Sequence, residues 1–264
     1  MRTGMGASAR GWRAVAPPLL FFAGFMAAWQ LAVTMLDIPP FLLPGPLAIL
    51  AAAAGNGPAL LSATAVTASG ALAGFALSQV VGLLIACAFA EWELARRAGY
   101  PYAIFLQTVP IVAIAPLIII WFGPGFPSVV VVSFIISLFP VITNGTTGLT
   151  RIDPDLRDLF LLNNATRLQL LLKLKLPHAV PYLVAGARIS SGLAVIGAIV
   201  GEFFAGFGSS RFGLGYLVVL TSGQLKTDYL FAAILASTLL GLAIFWLTGR
   251  LGDMLLARWG GQER

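Results

Sequence analysis

Residues 98–150 read AGYPYAIFLQTVPIVAIAPLIIIWFGPGFPSVVVVSFIISLFPVITNGTTGLT, without a single Asp, Glu, Lys or Arg. A bilayer crossing takes about 20 predominantly apolar residues, so this run accommodates two membrane helices. Gly123-Pro-Gly-Phe-Pro127 is the natural break between them, because proline removes a backbone donor and glycine frees the chain to turn. The reading is an all-α integral membrane protein with spans over 102–122 and 128–147 at its centre.

Outward from there, charge-free runs place a first span at 14–36, a second at 62–90, a fifth at 183–205 and a sixth at 229–249. Asp37 to Pro46 carries Pro39, Pro40, Pro44 and Pro46 and reads as turns; residues 47–54 are apolar but too short to cross and are expected at the interface. Glu91 to Arg97 reads as a polar loop, and 206–227 as a Gly- and Ser-containing loop. Residues 1–264 then form a single transmembrane domain. Composition agrees: 59% of residues are hydrophobic and 10% charged, against about 25% charged in soluble domains. Arg2, Arg10 and Arg13 before an apolar stretch resemble the opening of a signal peptide. That stretch runs charge-free to Leu36 with no clear small-residue cleavage site, so it reads as an uncleaved first span.

Six spans put both termini on one side. With that side cytoplasmic, the inside segments hold Arg2, Arg10, Arg13, Arg96, Arg97, Arg151, Arg157, Arg167, Lys173, Lys175, Arg188, Arg250, Arg258 and Arg264, and the outside Arg211 and Lys226. This asymmetry follows the positive-inside rule. The formal charge of +6 does not point to nucleic acid, because no basic stripe is interleaved with aromatics on a polar face. Cys87, the single cysteine, has neither a disulfide partner nor a neighbouring His or Cys for a metal site, and reads as a small buried hydrophobe. His178, after a proline in a polar loop, reads as a surface residue.

The segment 151–182 carries the strongest local signals. Asp153 before Pro154, with Asp155 following, is an N-cap, a proline at the first helical position and an acid in the first turn. A short helix is expected over about 154–162. Asn163-Asn164 ends it, since Asn tolerates the left-handed conformation. Thr166-Arg-Leu-Gln169 fits a capping box for a second short helix, which Pro177 and Pro181 are expected to close. Leu159, Phe160, Leu161, Leu162, Leu168, Leu170, Leu171, Leu172, Leu174 and Leu176 give this hairpin more apolar surface than a solvated linker carries, so it must pack on the bundle or on a partner.

The spacing resembles the EAA motif of ABC importer permeases: Glu-Ala-Ala, three residues, Gly, nine residues, Ile, one residue, Leu-Pro. Asp158-Leu159-Phe160 stands at the first triplet, Asn164 at the Gly, Leu174 at the Ile, and Leu176-Pro177 at the Leu-Pro. The spacing matches throughout; the letters are degenerate. Ile119-Ile-Trp-Phe-Gly123, Leu138-Phe-Pro-Val141, Asn164-Ala-Thr-Arg167, Ala185-Gly-Ala-Arg-Ile189, Gly201-Glu-Phe203 and Gly213-Leu-Gly-Tyr216 are similar to the branch serving nitrate, sulfonates, taurine and pyrimidine precursors of thiamine.

The resemblance implies that the hairpin is a coupling helix docking on a separate cytoplasmic ATPase. Asp158, Leu159, Phe160, Asn164, Ala165, Arg167, Leu174, Leu176 and Pro177 would carry that contact. It also implies two ATP-binding subunits, a second permease copy forming a homodimer, an extracytoplasmic solute-binding protein, and a bacterial inner-membrane location. The chain has no Gly-x-x-x-x-Gly-Lys-Ser/Thr loop. No cofactor is therefore expected on this chain, and ATP and Mg are expected on the partner.

Polar groups inside a bilayer tend to face the bundle interior or a water-filled path. Glu202, the only acid well inside an expected span, is a candidate gate or substrate contact, or else an interfacial residue or interhelical hydrogen bond. Gln107 and Thr108 beside Pro110, with Pro116 beyond, either line the path at a proline kink or pack there. Asn144, Ser190 and Ser191 are further candidates. Gly192, Gly197 and Gly201 read as sites of close helix approach. The absence of a midplane cation favours a neutral or aromatic solute. No catalytic residue or metal ligand is expected: an embedded enzyme would need convergent His, Asp, Ser or Cys groups. The alternative, an ion-coupled secondary transporter, would need a coupling-ion site and repeated halves.

Overall fold

The computed structural model describes residues 6–206 and 212–259. Every regular element among them is helical: α1 (Gly6–Met35), α2 (Pro46–Gly55), α3 (Gly57–Glu91), α4 (Glu93–Thr108), α5 (Ile111–Phe122), α6 (Phe126–Thr150), α7 (Pro154–Leu162), α8 (Arg167–Leu170), a π turn (Leu171–Lys175), α9 (Leu176–Ala205), α10 (Leu214–Gly223) and α11 (Thr227–Trp259). Helices long and apolar enough to cross a bilayer run over Ala16–Met35, Gly57–Glu91, Phe126–Thr150, Arg167–Ala205 and Thr227–Arg258, and α4 and α5 pass together as a bent pair. The all-α fold class is therefore present, with five such helices, or six if the bent pair is one span. Arg2, Arg211 and Arg264 lie outside the described residues.

Three expectations need correction. The third span is not one helix: α4 and α5 meet at 101°. Val109 and Pro110 are extended at the break, because Pro110 has no N–H for the helical ladder and disfavours the helical region for the residue before it. Glu91 to Arg97 is not a loop, since only Trp92 separates α3 from α4. Its charges are absorbed within the helix, where Glu93 pairs with Arg96 and Arg97 at i+3 and i+4. The interval 206–227 contains α10, a helix too short to cross.

The chain divides into two compact units, Met1–Gly57 with Leu220–Ala233, and Pro58–Val219 with Ile234–Arg264. In the first, Leu47 N–H donates to Gln30 Oε1 at 3.2 Å and Thr227 donates to Phe41 O at 2.6 Å. Trp29 packs between Phe25 and Phe231, with ring centroids 6.4 and 6.0 Å away.

The second unit is built on α6, which α9 and α3 approach to backbone contact. A Cβ on Gly197 of α9 would stand 2.6 Å from Ser133 Cα of α6, and one on Gly201 3.0 Å from Val129 Cα. On α3, a Cβ on Gly82 would stand 2.7 Å from Val141 Cβ. Gly192, also expected at a close approach, has open space. Two serines bond reciprocally across α6 and α9: Ser133 donates to Ala194 O at 2.9 Å, and Ser190 to Ser137 O at 2.7 Å. All four of these residues are buried, together with Val132 and Ala198. Close approach shortens these bonds and maximises dispersion, the main source of helix association in lipid.

Gly197→Val is expected to destabilise the unit by about 1–3 kcal/mol through overpacking, and Gly192→Ala to leave it unchanged. Thermal unfolding of the two variants in detergent, followed by a reporter on the second unit, checks the contrast.

Candidate coupling hairpin and pathway residues

The hairpin expected from local signals is present with its capping in place. Asp155 N–H donates to Asp153 Oδ1 at 2.9 Å, and Pro154 occupies the first position of α7. At the other end Asn164 takes φ +54°, in the left-handed region. Ala165 N–H donates to Phe160 O at 3.0 Å and Asn164 N–H to Leu161 O at 2.9 Å, the bond pair of a Schellman closure. A residue tolerant of positive φ is therefore required where the EAA pattern has Gly. Thr166 and Gln169 exchange both bonds of the capping box, with Thr166 N–H donating to Gln169 Oε1 at 2.8 Å and Gln169 N–H to Thr166 Oγ1 at 3.3 Å.

The second helix does not close at Pro177. It runs on through the π turn into α9. A proline ring clashes with the carbonyl four residues back, and Lys173, four residues before Pro177, lies in the wider π turn over Leu171–Lys175. Pro181 lies inside α9 as well.

The hairpin's apolar side chains divide into two sets. Leu156, Leu159, Leu161, Leu162, Leu168 and Leu172 are exposed, Leu162 at 81%. Phe160, Ala165, Leu174, Leu176 and Pro177 are half-buried, and Asp158, Asn164 and Arg167 are exposed. Leu176 packs with Leu171 and Leu183 on a cluster of Ala86, Leu149 and Ala179. Of the residues expected at a docking face, Leu174, Leu176 and Pro177 thus turn partly toward the bundle. Leu156 and Leu162 are more exposed, and the sequence pattern marked their apolarity only in part.

The five pathway candidates are not brought to one place. Gln107 and Thr108 are exposed at the end of α4, beside the 101° elbow, and Thr108 donates to Phe105 O at 2.8 Å. Asn144 and Ser190 belong to the α6–α9 contact: Asn144 donates to Pro140 O at 2.9 Å, and Ser190 is fully buried on Ser137 O. Ser191 donates to Arg188 O at 2.8 Å within its own helix.

Glu202 is 3% exposed and ties three helices together. Its Oε2 accepts from Thr67 Oγ1 of α3 at 2.9 Å and from Gly215 N–H of α10 at 2.8 Å. Thr67 Oγ1 in turn accepts from Leu214 N–H at 2.8 Å. Leu214 and Gly215 open α10, so two amides that no intrahelical carbonyl can satisfy are taken up here, by a carboxylate placed at the positive end of the helix. A Cβ on Gly213 would fall on the Glu202 carboxylate. The phrases Gly201-Glu-Phe203 and Gly213-Leu-Gly-Tyr216 are therefore two halves of one contact. The Gly and Ser content of 206–227 reads as loop, which offers Glu202 no helix end to cap, so the sequence does not join the two phrases.

Arg188, also inside α9, pairs with Asp253 of α11 and donates to Gly249 O at 3.0 Å. Among the described residues no three His, Cys, Asp or Glu side chains converge as a metal site requires.

Comparison with known proteins decides between the transport readings. The family described as "binding-protein-dependent transport system inner membrane component" matches residues 78–255. The chain belongs to this family. It is a permease subunit of an ABC importer, not an ion-coupled secondary transporter. It is 34% identical to the riboflavin transport system permease protein RibX of Chloroflexus aurantiacus, over 94% of this chain and 91% of that one. It is also 34% identical to the formylaminopyrimidine transport permease protein ThiX of Halalkalibacterium halodurans, over 90% of this chain and 94% of that one. The inward-facing MetNI methionine ABC transporter shares the fold, with a TM-score of 0.57 at 18% identity over 74% of this chain and 93% of that one.

Two outcomes follow from the geometry. Asn164→Gly should leave the hairpin intact, whereas Asn164→Val, β-branched at positive φ, should cost about 1–3 kcal/mol locally; amide exchange over 154–170 reads the difference. Glu202→Ala strands the Gly215 amide, while the Thr67 hydroxyl keeps Ala63 O, and should destabilise by about 1–3 kcal/mol, seen as faster exchange at the start of α10.

Proposed function

We propose that this permease carries a small heteroaromatic solute, of the flavin or pyrimidine class, across a bacterial inner membrane. Transport is powered by ATP hydrolysed on separate cytoplasmic subunits that dock on the α7–α8 hairpin. The observation that carries the coupling reading is the set of exposed leucines on a hairpin whose caps hold it rigid. Large apolar side chains held in water by defined backbone geometry are a docking surface in want of a partner. Leu156, Leu159 and Leu162 enter the ATPase cleft, with Asp158, Phe160, Asn164, Ala165, Arg167 and Leu168 around them; Leu174, Leu176 and Pro177 support the hairpin from behind. ATP and Mg are bound by the partner.

The solute class is supported by the two relatives at 34% identity, named for riboflavin and for a formylaminopyrimidine. It is also supported by the state of Arg188, whose charge is already met by Asp253 rather than offered to an anion. A second copy of the chain completes the path, Gln107 and Thr108 at the α4–α5 elbow face it, and an extracytoplasmic binding protein delivers the solute. The hairpin and both termini lie in the cytoplasm, in keeping with the cationic bias of those segments.

Co-purification tests the coupling. An ATPase should come down with the wild-type chain from detergent extracts. Leu162→Asp should lose at least nine-tenths of it, while remaining in the membrane fraction at wild-type level. Proteoliposomes containing the complex and its binding protein should accumulate labelled riboflavin or formylaminopyrimidine in preference to nitrate or taurine. Preference for the anions would refute the solute class, and uptake under an ion gradient without ATPase would refute the coupling.

A further inference from the structure

The π turn joins the hairpin to α9, and Lys175 is its last residue. Lys175 is largely withdrawn from solvent. Its ammonium donates to Ala90 O at 3.2 Å and pairs with Glu91, and the two side chains are only 12% and 16% exposed. Ala90 and Glu91 are the last turn of α3, where a cation meets the negative end of the helix and an unpaired carbonyl. Trp92, the next residue, is the single non-helical step between α3 and α4. The cation therefore grips the α3–α4 junction. Beneath the pair, Ala86, Cys87 and Ala90 of α3 pack with Leu171, the first residue of the π turn, with Leu176 just beyond it, and with Leu149 and Ala179.

A low-exposure ion pair contributes little net stability over an apolar contact, so its place here asks for another account. A π turn has looser hydrogen bonding than the α-helix around it and recurs at functional sites. A hairpin connected to the bundle through such a turn alone would be free to bend without moving anything but α9. A desolvated ion pair with a second bond to a backbone carbonyl is directional and removes that freedom.

We propose that Lys175 is a positioning residue for transport: through Glu91 and Ala90 O it clamps the π turn to the α3–α4 junction, so that displacement of the hairpin moves α3 and α4 together with α9. The inference rests on the coupling reading above. It adds a second mechanical output from the hairpin, leading through α4 toward the elbow that carries Gln107 and Thr108.

The test uses the full complex with its co-purified ATPase in nanodiscs, in a Cys87→Ala background. Nitroxide labels are placed at Leu94→Cys on α4 and Leu172→Cys in the π turn, both exposed sites outside the proposed docking residues, and spin-diluted with unlabelled chain. With Lys175 present, the separation of the labels should be narrow and the same in the nucleotide-free and vanadate-trapped states. In Lys175→Met, trapping should shift or broaden it by about one helical turn, roughly 5 Å. ATP hydrolysis in that variant should persist within about twofold, while uptake driven by it falls at least tenfold, a change of about 1.4 kcal/mol in coupling. Lys175→Arg, which keeps a cation with donors for both Glu91 and Ala90 O, should recover the narrow separation and the uptake, which a merely apolar filling of the site in Lys175→Met would not. A separation in Lys175→Met that stays narrow in both states overturns the clamp, as does a wild-type separation that changes on trapping. If vanadate traps no state in any variant, the coupling reading itself fails; the clamp is then decided by the nucleotide-free separation, broadened in Lys175→Met if it holds and unchanged if it does not.

Discussion

The second unit depends on how closely α6 can be approached. Lipid tails are as apolar as leucine side chains, so burying leucine in a membrane bundle gains little, and helices associate through close backbone contact and interhelical hydrogen bonds. Gly197 and Gly201 of α9 and Gly82 of α3 supply the contact. Ser133 and Ser190 supply the bonds, each taking a carbonyl on the opposite helix. Ser190 thus uses its hydroxyl on α6, and Asn144 donates its amide back to Pro140 O. Polarity at these positions holds the frame on which the moving parts are mounted.

Those parts attach to the frame by specific polar links. Glu202 holds the start of α10 with help from Thr67 of α3. Lys175 holds the π turn at the opposite end of the same helix, α3. A helix of 35 residues is about 52 Å long, and Thr67 and Glu91 stand 24 residues apart along it, about 36 Å. Rigid elements with a polar link at each end are what energetic coupling over such distances requires, and α3 has that form.

Much of this was legible in the residues. The charge-free run 98–150, the caps Asp153 and Thr166 and the left-handed Asn164 act locally, through side chains on their own backbone, and each stands where local chemistry puts it. The failures concern medium-range geometry. Pro177 breaks a helix when judged on its own turn, and only the π turn before it lets the helix continue. Pro110 announced a kink, but its 101° angle depends on what packs on each arm. Glu91 read as part of a loop because its partner Lys175 is 84 residues away. The pathway candidates were chosen for polarity within a span, a criterion that does not distinguish a group facing water from one bonded to the next helix. Ser190 is of the second kind, and Asn144 spends its amide within its own helix.

Exposure alone does not say what covers a side chain in a membrane protein. Phe21 on α1 is 80% exposed and Leu162 on α7 is 81% exposed, yet the two call for different surroundings. Phe21 lies in a run without charge from residue 14 to residue 36, where hydrocarbon is a sufficient solvent. Leu162 ends a nine-residue helix that also carries Asp155, Arg157 and Asp158, and hydrocarbon would charge several kcal/mol for such groups. Nor does the helix suit the membrane surface. Surface-lying helices are basic and drawn to anionic lipid, whereas α7 sets two carboxylates against one guanidinium. An apolar face that neither lipid core nor lipid headgroup accommodates, and that Asn164 and Thr166 hold in a fixed shape, calls for a protein surface, which the proposed ATPase docking would supply. The separation of this face from the rest of the exposed apolar surface is made by charge pattern and capping geometry, both of which are carried in residues 153–169.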